Sequence, residues 1–83
     1  MEYRLSQHAT QVMKEREIAE QWVVATMNDP ELRVTDPNDP EVERFYRRIS
    51  ENENRVLRVV VNTNLAPWRI VSLFFDRNMR GKL

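Results

Sequence analysis

The decisive stretch runs Arg55-Val56-Leu57-Arg58-Val59-Val60-Val61-Asn62-Thr63, followed after a polar break by Arg69-Ile70-Val71-Ser72-Leu73-Phe74-Phe75-Asp76. β-Branched and aromatic residues fill both segments. Turn-forming residues over Asn62 to Pro67 separate them, which predicts two strands of one hairpin. Upstream, Glu43 to Ile49 has the same character and is set off by the turn-like Ser50 to Asn54. Strands joined by such short breaks form an antiparallel meander.

Sorting these strands by their period of two separates two faces. One collects Phe45, Ile49, Leu57, Val59, Val61, Val71, Leu73 and Phe75, and is expected to lie under helices. The other collects Arg44, Tyr46, Arg48, Val56, Arg58, Val60, Asn62, Ile70, Ser72, Phe74 and Asp76. An open face mixing arginine and tyrosine with valine, isoleucine and phenylalanine reads as a contact surface. Val56, Val60, Ile70 and Phe74 would form its apolar patch, which predicts a homodimer or a cognate protein partner.

The helices come from the N-terminal half. Glu2 to Leu5 can form a first strand, and Ser6 is a good N-cap. Ala9, Val12, Met13 and Arg16 recur at helical spacing, as do Trp22, Val23, Thr26 and Met27. The second helix must stop before Asp29-Pro30, because a residue preceding proline is pushed out of helical geometry. Glu31 to Thr35 suggests a brief strand, and the Asp-Pro-rich residues 36–41 a mobile acidic loop. Residues 77–83 form a basic tail. The expected fold is therefore one α+β domain over residues 1–83, with two N-terminal helices on one face of a three- to four-stranded antiparallel sheet.

Composition narrows the chemistry. The chain has 83 residues, no cysteine and one histidine. Disulfides, thiolate sites and cysteine nucleophiles are excluded, and a zinc site is disfavoured for want of ligands. Asp36, Asn38 and Asp39 lack the glycine and the downstream glutamate of a calcium loop. No metal or cofactor is therefore expected. Met1 to Gln7 shows no basic region leading into an apolar run, and no apolar stretch is long enough for a bilayer, so the expected compartment is the cytoplasm. Charge is uneven. Residues 1–43 carry four basic and ten acidic residues, a net of −6, whereas residues 44–83 carry nine and three, a net of +6. A basic half suits a polyanion such as RNA, although the two halves can also neutralise each other in the fold.

His8-Ala9, Met13, Glu15-Arg16 and Ile18, with the later Arg47 region, Leu57-Arg58-Val59-Val60-Val61 and Ile70-Val71, resemble a family of small bacterial proteins, domain of unknown function 4258. Three positions depart from its pattern. Val12 stands in place of an arginine, Glu17 in place of a glycine and Ala19 in place of a helix-capping serine. That family is distantly similar to the BrnT and RelE-like toxin ribonucleases, which set two helices against an antiparallel sheet. The resemblance implies a toxin-like, RNA-cleaving protein.

A metal-free ribonuclease needs a proton-transfer group near neutral pKa and cations matched to phosphate. His8 is the one imidazole and so the proton-transfer candidate, against a purely structural hydrogen-bonding role. Arg58, in mid-strand between valines, is the first candidate for phosphate contact, with cross-strand pairing to Asp76 as the competing role. Arg48 would hold phosphate beside it. Arg44 and Tyr46 extend the surface, with Tyr46 placed to stack on a base. Arg16, on the apolar stripe of its helix, either pairs with an acid or reaches a ligand. Arg47 points to the helix side as an ion-pairing residue, and Trp22 and Trp68 read as packing. The alternative function is a non-catalytic interaction module that uses the open face.

Overall fold

Ser6 fixes both where the first helix starts and where it sits. In the computed structural model, which describes residues 2–83, strand β1 (Tyr3–Leu5) leads through Ser6 into helix α1 (Gln7–Glu15). The Ser6 hydroxyl oxygen accepts the Ala9 N–H at 3.0 Å, the capping bond for which serine is suited. The same residue donates its N–H to the Ile70 carbonyl at 2.9 Å and its hydroxyl to the Val71 carbonyl at 3.3 Å. The helix start is thereby tied to the last strand of the chain.

Helix α1 ends in a two-bond cap. Ile18 N–H donates to the Met13 carbonyl at 3.0 Å and Glu17 N–H to the Lys14 carbonyl at 3.4 Å. This is the Schellman arrangement, with Glu17 in the left-handed region at φ 53° and Ile18 packed in the same cluster as Met13. Helix α2 (Glu20–Asn28) stops ahead of the Asp29-Pro30 pair, as the sequence predicts. Arg47 donates to the Asp29 carbonyl at 2.7 Å, which places a cation at the carbonyl end of that helix.

The sheet adds strands β2 (Leu32–Asp36), β3 (Asp39–Ile49), β4 (Arg55–Asn62) and β5 (Trp68–Phe75), in the spatial order β1-β5-β4-β3-β2. The α+β class and the two helices agree with the sequence reading, but the sheet is wider and mixed. It has five strands rather than three or four, and β1 runs parallel to β5 while the other pairs are antiparallel. The two edge strands, β1 and β2, fall where the sequence suggests short strands, but segments this short do not by themselves reveal their place in the sheet. The partner of β1 also lies at the far end of the chain, where no local signal can reveal it. Residues 36–41 are drawn tighter than the loop the sequence suggests. Asp36 stands opposite Asp39 across a Pro37-Asn38 turn, and the Asp36 carboxylate accepts the Asn38 N–H at 2.8 Å.

Ala9, Ile18, Val23, Phe45, Ile49, Leu57, Val59, Val61, Ile70 and Leu73 form the core. Fully burying an aliphatic side chain of this size contributes about 1.5–3 kcal/mol. Trp22 packs edge-on against Phe75 and Trp68 against Phe45, the packing roles expected of them. Buried Thr26 donates its hydroxyl to the Trp22 carbonyl at 2.8 Å and so leaves no orphan donor.

A bulge in β5 overturns part of the face assignment. Val60 pairs with Ser72 but Val61 pairs with Ile70, so Val71 is an extra residue. Beyond it the alternation inverts. Ile70, assigned to the open face by period alone, is fully buried in the core, and Val71, assigned to the core, is only half-buried. Both bulge carbonyls, those of Ile70 and Val71, are the ones Ser6 engages.

Candidate functional site

The open face gathers the expected arginines and gives each a carboxylate. Arg58 Nη2 lies 2.6 Å and its Nε 3.2 Å from the same Asp76 oxygen. Its guanidinium is also sandwiched between the rings of Phe74, at 4.6 Å, and Tyr46, at 5.7 Å. The pair is largely buried, with side chains 17% and 6% exposed. Burial pushes the Asp76 carboxyl up, but the Arg58 hydrogen bond, the Asn78 N–H and the charges of Arg58 and Arg44 outweigh it and hold the group below the usual carboxylate range. Arg44 pairs with Asp36 at 2.9 Å and Arg48 with Glu31 at 3.1 Å. Glu31 is held low first by the Arg48 backbone N–H, which it accepts at 2.9 Å.

Two further expectations for this face change. Tyr46 is 3% exposed, so its ring is not available to stack on a base. The apolar patch loses half its members, because Ile70 faces the core and Val56 is buried where the 3-10 turn Arg77–Met79 packs against β4. Val60 and Phe74 remain, and only Phe74 is exposed.

The other candidates lie elsewhere. Strand β1 pairs only with Trp68–Ile70, so among the described residues the outer edge of β5 from Val71 onward has no strand neighbour. Helix α1 packs along that edge and leaves a cleft of about 700 Å³. His8, Arg16 and Trp22 line it from the helix side, Ser72 to Phe75 from the strand, and Arg55 and Arg77 complete the lining. His8 and Arg16 thus line the same cleft, two helical turns apart, whereas Arg58, Arg48, Arg44 and Tyr46 do not line it. Arg58 contacts a cleft residue, Phe74, rather than the cleft.

Charge sets this cleft apart. Five of the eleven arginines, Arg33, Arg44, Arg47, Arg48 and Arg58, form salt bridges. Among the described residues, the three in the cleft form none. Arg55 stacks over the Phe75 ring at 4.7 Å, a contact that leaves its N–H groups unclaimed by any carboxylate. Two acids, Glu15 and Glu17, share the rim, and Glu15 is engaged by the Gln11 amide at 2.8 Å. The Trp22 indole N–H is buried without a hydrogen-bond partner. Glu51, held low chiefly by the Ser50 hydroxyl, feels that indole without closing a hydrogen bond to it.

Local structure explains how these groups come to line one cleft. Arg16 is the C-cap of α1, turned by the Schellman cap, and His8 lies two turns earlier on the same helix. Arg55 and Arg77 were missed in the sequence, although a signal was present. Leu57 pairs with Phe75 across the β4–β5 hairpin, so the residues two before and two after them meet at its open end. Both share the parity of the core-facing residues, which directs them to the helix side.

Among the described residues no cluster of three or more His, Asp or Glu side chains could hold a metal, and no helix is long and apolar enough to cross a membrane. The family model described as a domain of unknown function, number 4258, matches residues 5–75. That span includes His8, Arg16 and Arg55 and stops short of Arg77. No curated protein and no solved structure matches the chain.

Proposed function

We propose that this chain, which belongs to the domain of unknown function 4258 family, binds RNA and cleaves it without a metal, in the cleft between α1 and the free edge of β5. One observation carries the reading. The only imidazole and three guanidinium groups free of carboxylates line the same cleft. A toxin-like role is what the resemblance to BrnT and RelE-like ribonucleases, read from the sequence alone, implies.

In the proposed reaction the ribose 2′-oxygen attacks the adjacent phosphorus and the bond from phosphorus to the 5′-oxygen breaks. A 2′,3′-cyclic phosphate and a free 5′-hydroxyl result. One proton leaves the 2′-hydroxyl and one reaches the departing oxygen, and His8 is assigned to this proton transfer. Arg16, Arg55 and Arg77 hold the phosphate and offset the charge that builds on its oxygens. The open-face arginines are already bound to acids, so their part is structural.

The test uses a labelled oligoribonucleotide in the presence of a chelator. Binding should weaken with salt, with a log–log slope of about −0.7 per phosphate contacted. Arg16→Ala or Arg77→Ala should weaken binding by about 1–3 kcal/mol, the range for a hydrogen bond to a charged group. His8→Ala should slow cleavage by about 100- to 10,000-fold and leave affinity in place. Wild-type protein with no salt-sensitive RNA affinity at low ionic strength overturns the reading.

A further inference from the structure

The cleft does not end at Arg55 and Arg77. Those two residues and Phe75 also line a second depression of about 370 Å³, completed by Glu53, Val56, Asp76 and Arg80. We infer that this second depression is a phosphate subsite built by the C-terminal turn, so that a bound polyanion is gripped at two phosphates rather than one. The inference rests on the RNA reading above and extends it to the length of ligand recognised.

The charges favour it. Among the described residues, six arginines lie outside salt bridges: Arg4, Arg16, Arg55, Arg69, Arg77 and Arg80. Four of them line the two joined depressions, in the order Arg16, then Arg55 with Arg77, then Arg80. Of the two acids in the second depression, Asp76 is committed to Arg58 and to the Asn78 N–H. Glu53 is exposed, and its backbone carbonyl makes a long contact of 3.5 Å with Arg80. The Arg80 guanidinium thus meets no carboxylate.

The fold also explains why the subsite is held in place. Asp76 caps the 3-10 turn by accepting the Asn78 N–H at 3.0 Å, while its other oxygen takes both Arg58 bonds. The turn that carries Arg77 and leads to Arg80 is therefore bolted to mid-strand β4. Arg58 acts here as a positioning residue for Arg77 and Arg80, although it touches no ligand itself.

Two probes separate the subsites. One is a dinucleoside monophosphate with a single phosphate. The other is an eight-nucleotide 2′-O-methyl RNA, whose blocked hydroxyl prevents cleavage. Arg80→Ala should weaken the eight-nucleotide probe by about ten-fold, the effect of one charge-assisted contact, and leave the dinucleotide within about two-fold. Arg16→Ala should weaken both. Arg80→Gln, which keeps bulk and loses charge, should reproduce Arg80→Ala, and circular dichroism should show both variants folded. Tight binding of the longer probe that neither Arg80 variant disturbs overturns the second subsite alone, as does an equal loss on both probes. Wild-type protein that binds neither probe overturns the RNA reading along with it.

Discussion

The open face of the sheet and the cleft at its β5 edge each hold three arginines, and the two sets differ in what surrounds them. Arg44, Arg48 and Arg58 each face a carboxylate, and Arg58 is closed off between two aromatic rings. Arg16, Arg55 and Arg77 line a cavity and bridge to no acid. Arg55 and Arg58 are only three residues apart on one strand, yet opposite parity sends them to opposite faces. Residue type alone therefore says little about whether an arginine serves the fold or a ligand. The deciding fact is whether a carboxylate already occupies its donors.

The largest expected effect separates the two sets by stability. Removing one partner of a largely buried ion pair leaves an uncompensated charge and costs about 3 kcal/mol or more. Arg58→Ala should lose about that much by chemical denaturation, a large share of the roughly 4–12 kcal/mol expected for a domain of this length. Arg55→Ala and Arg77→Ala should each lose less than about 1 kcal/mol, Arg55 through its stacking contact on Phe75. If Arg58→Ala were no less stable than Arg77→Ala, the division between structural and ligand-directed arginines would collapse.

Acid should act on the open face as well. The Asp76, Glu31 and Asp36 carboxyls are all held below their ordinary values in the folded chain. A depressed carboxyl contributes stability that is fully present above its unfolded pKa, about 3.9 for aspartate and 4.3 for glutamate, and lost as pH falls through the folded value. The denaturation midpoint should therefore fall steadily below about pH 5. Asp76→Asn should be less stable at neutral pH but should show a flatter decline across that window. An unchanged slope would mean that Asp76 does not contribute to the acid response.

Much of the fold was legible because it is written in local periods: the cap at Ser6, the stop before Pro30, and the β3–β4–β5 meander. Two features escaped for a shared reason. The pairing of β1 with β5 and the bulge at Val71 both lie where the two ends of the chain meet, at the Ser6 bonds to Ile70 and Val71. Period-two reading cannot register an inserted residue, so it sent Ile70 outward and inflated the apolar patch on the open face. The candidate site was legible in part. His8 and Arg16 stand out by type and position, and the Arg58–Asp76 pairing was one of two roles the sequence allowed. Arg55 and Arg77 needed the hairpin register before their meeting could be seen.

A smaller effect probes the contact that holds the cleft's helix wall to its strand wall. Ser6→Ala removes the hydroxyl that caps Ala9 and reaches the Val71 carbonyl, but it keeps the backbone bond to Ile70. The cap alone is worth about 1 kcal/mol. A loss of that size is expected in thermal or chemical unfolding. Ser6→Asp, which can restore the cap but not the donor to Val71, should recover most of it. Failure of aspartate to rescue would assign the serine's main contribution to the strand contact instead.

The smallest effect is also the one that touches both stability and the cleft. Glu17 occupies the left-handed C′ position of the Schellman cap at φ 53°, a position that glycine commonly fills. An L-residue pays roughly 1–2 kcal/mol for that geometry, which glycine avoids, though glycine also loses more backbone freedom on folding. Glu17→Gly should therefore stabilise the chain by about 0.5–1 kcal/mol. The same change removes a carboxylate from the rim beside Arg16, so RNA affinity should rise by a few-fold, more at low salt than at high. Glu17→Asn, which tolerates the left-handed region and has no charge, should share both gains. Glu17→Gln removes only the charge, so it should raise affinity and leave stability nearly unchanged. Were Glu17→Gly to stabilise the chain and leave polyanion binding untouched at low salt, the cleft's carboxylates would be irrelevant to its ligand, and the electrostatic contrast between the two regions would lose its functional meaning.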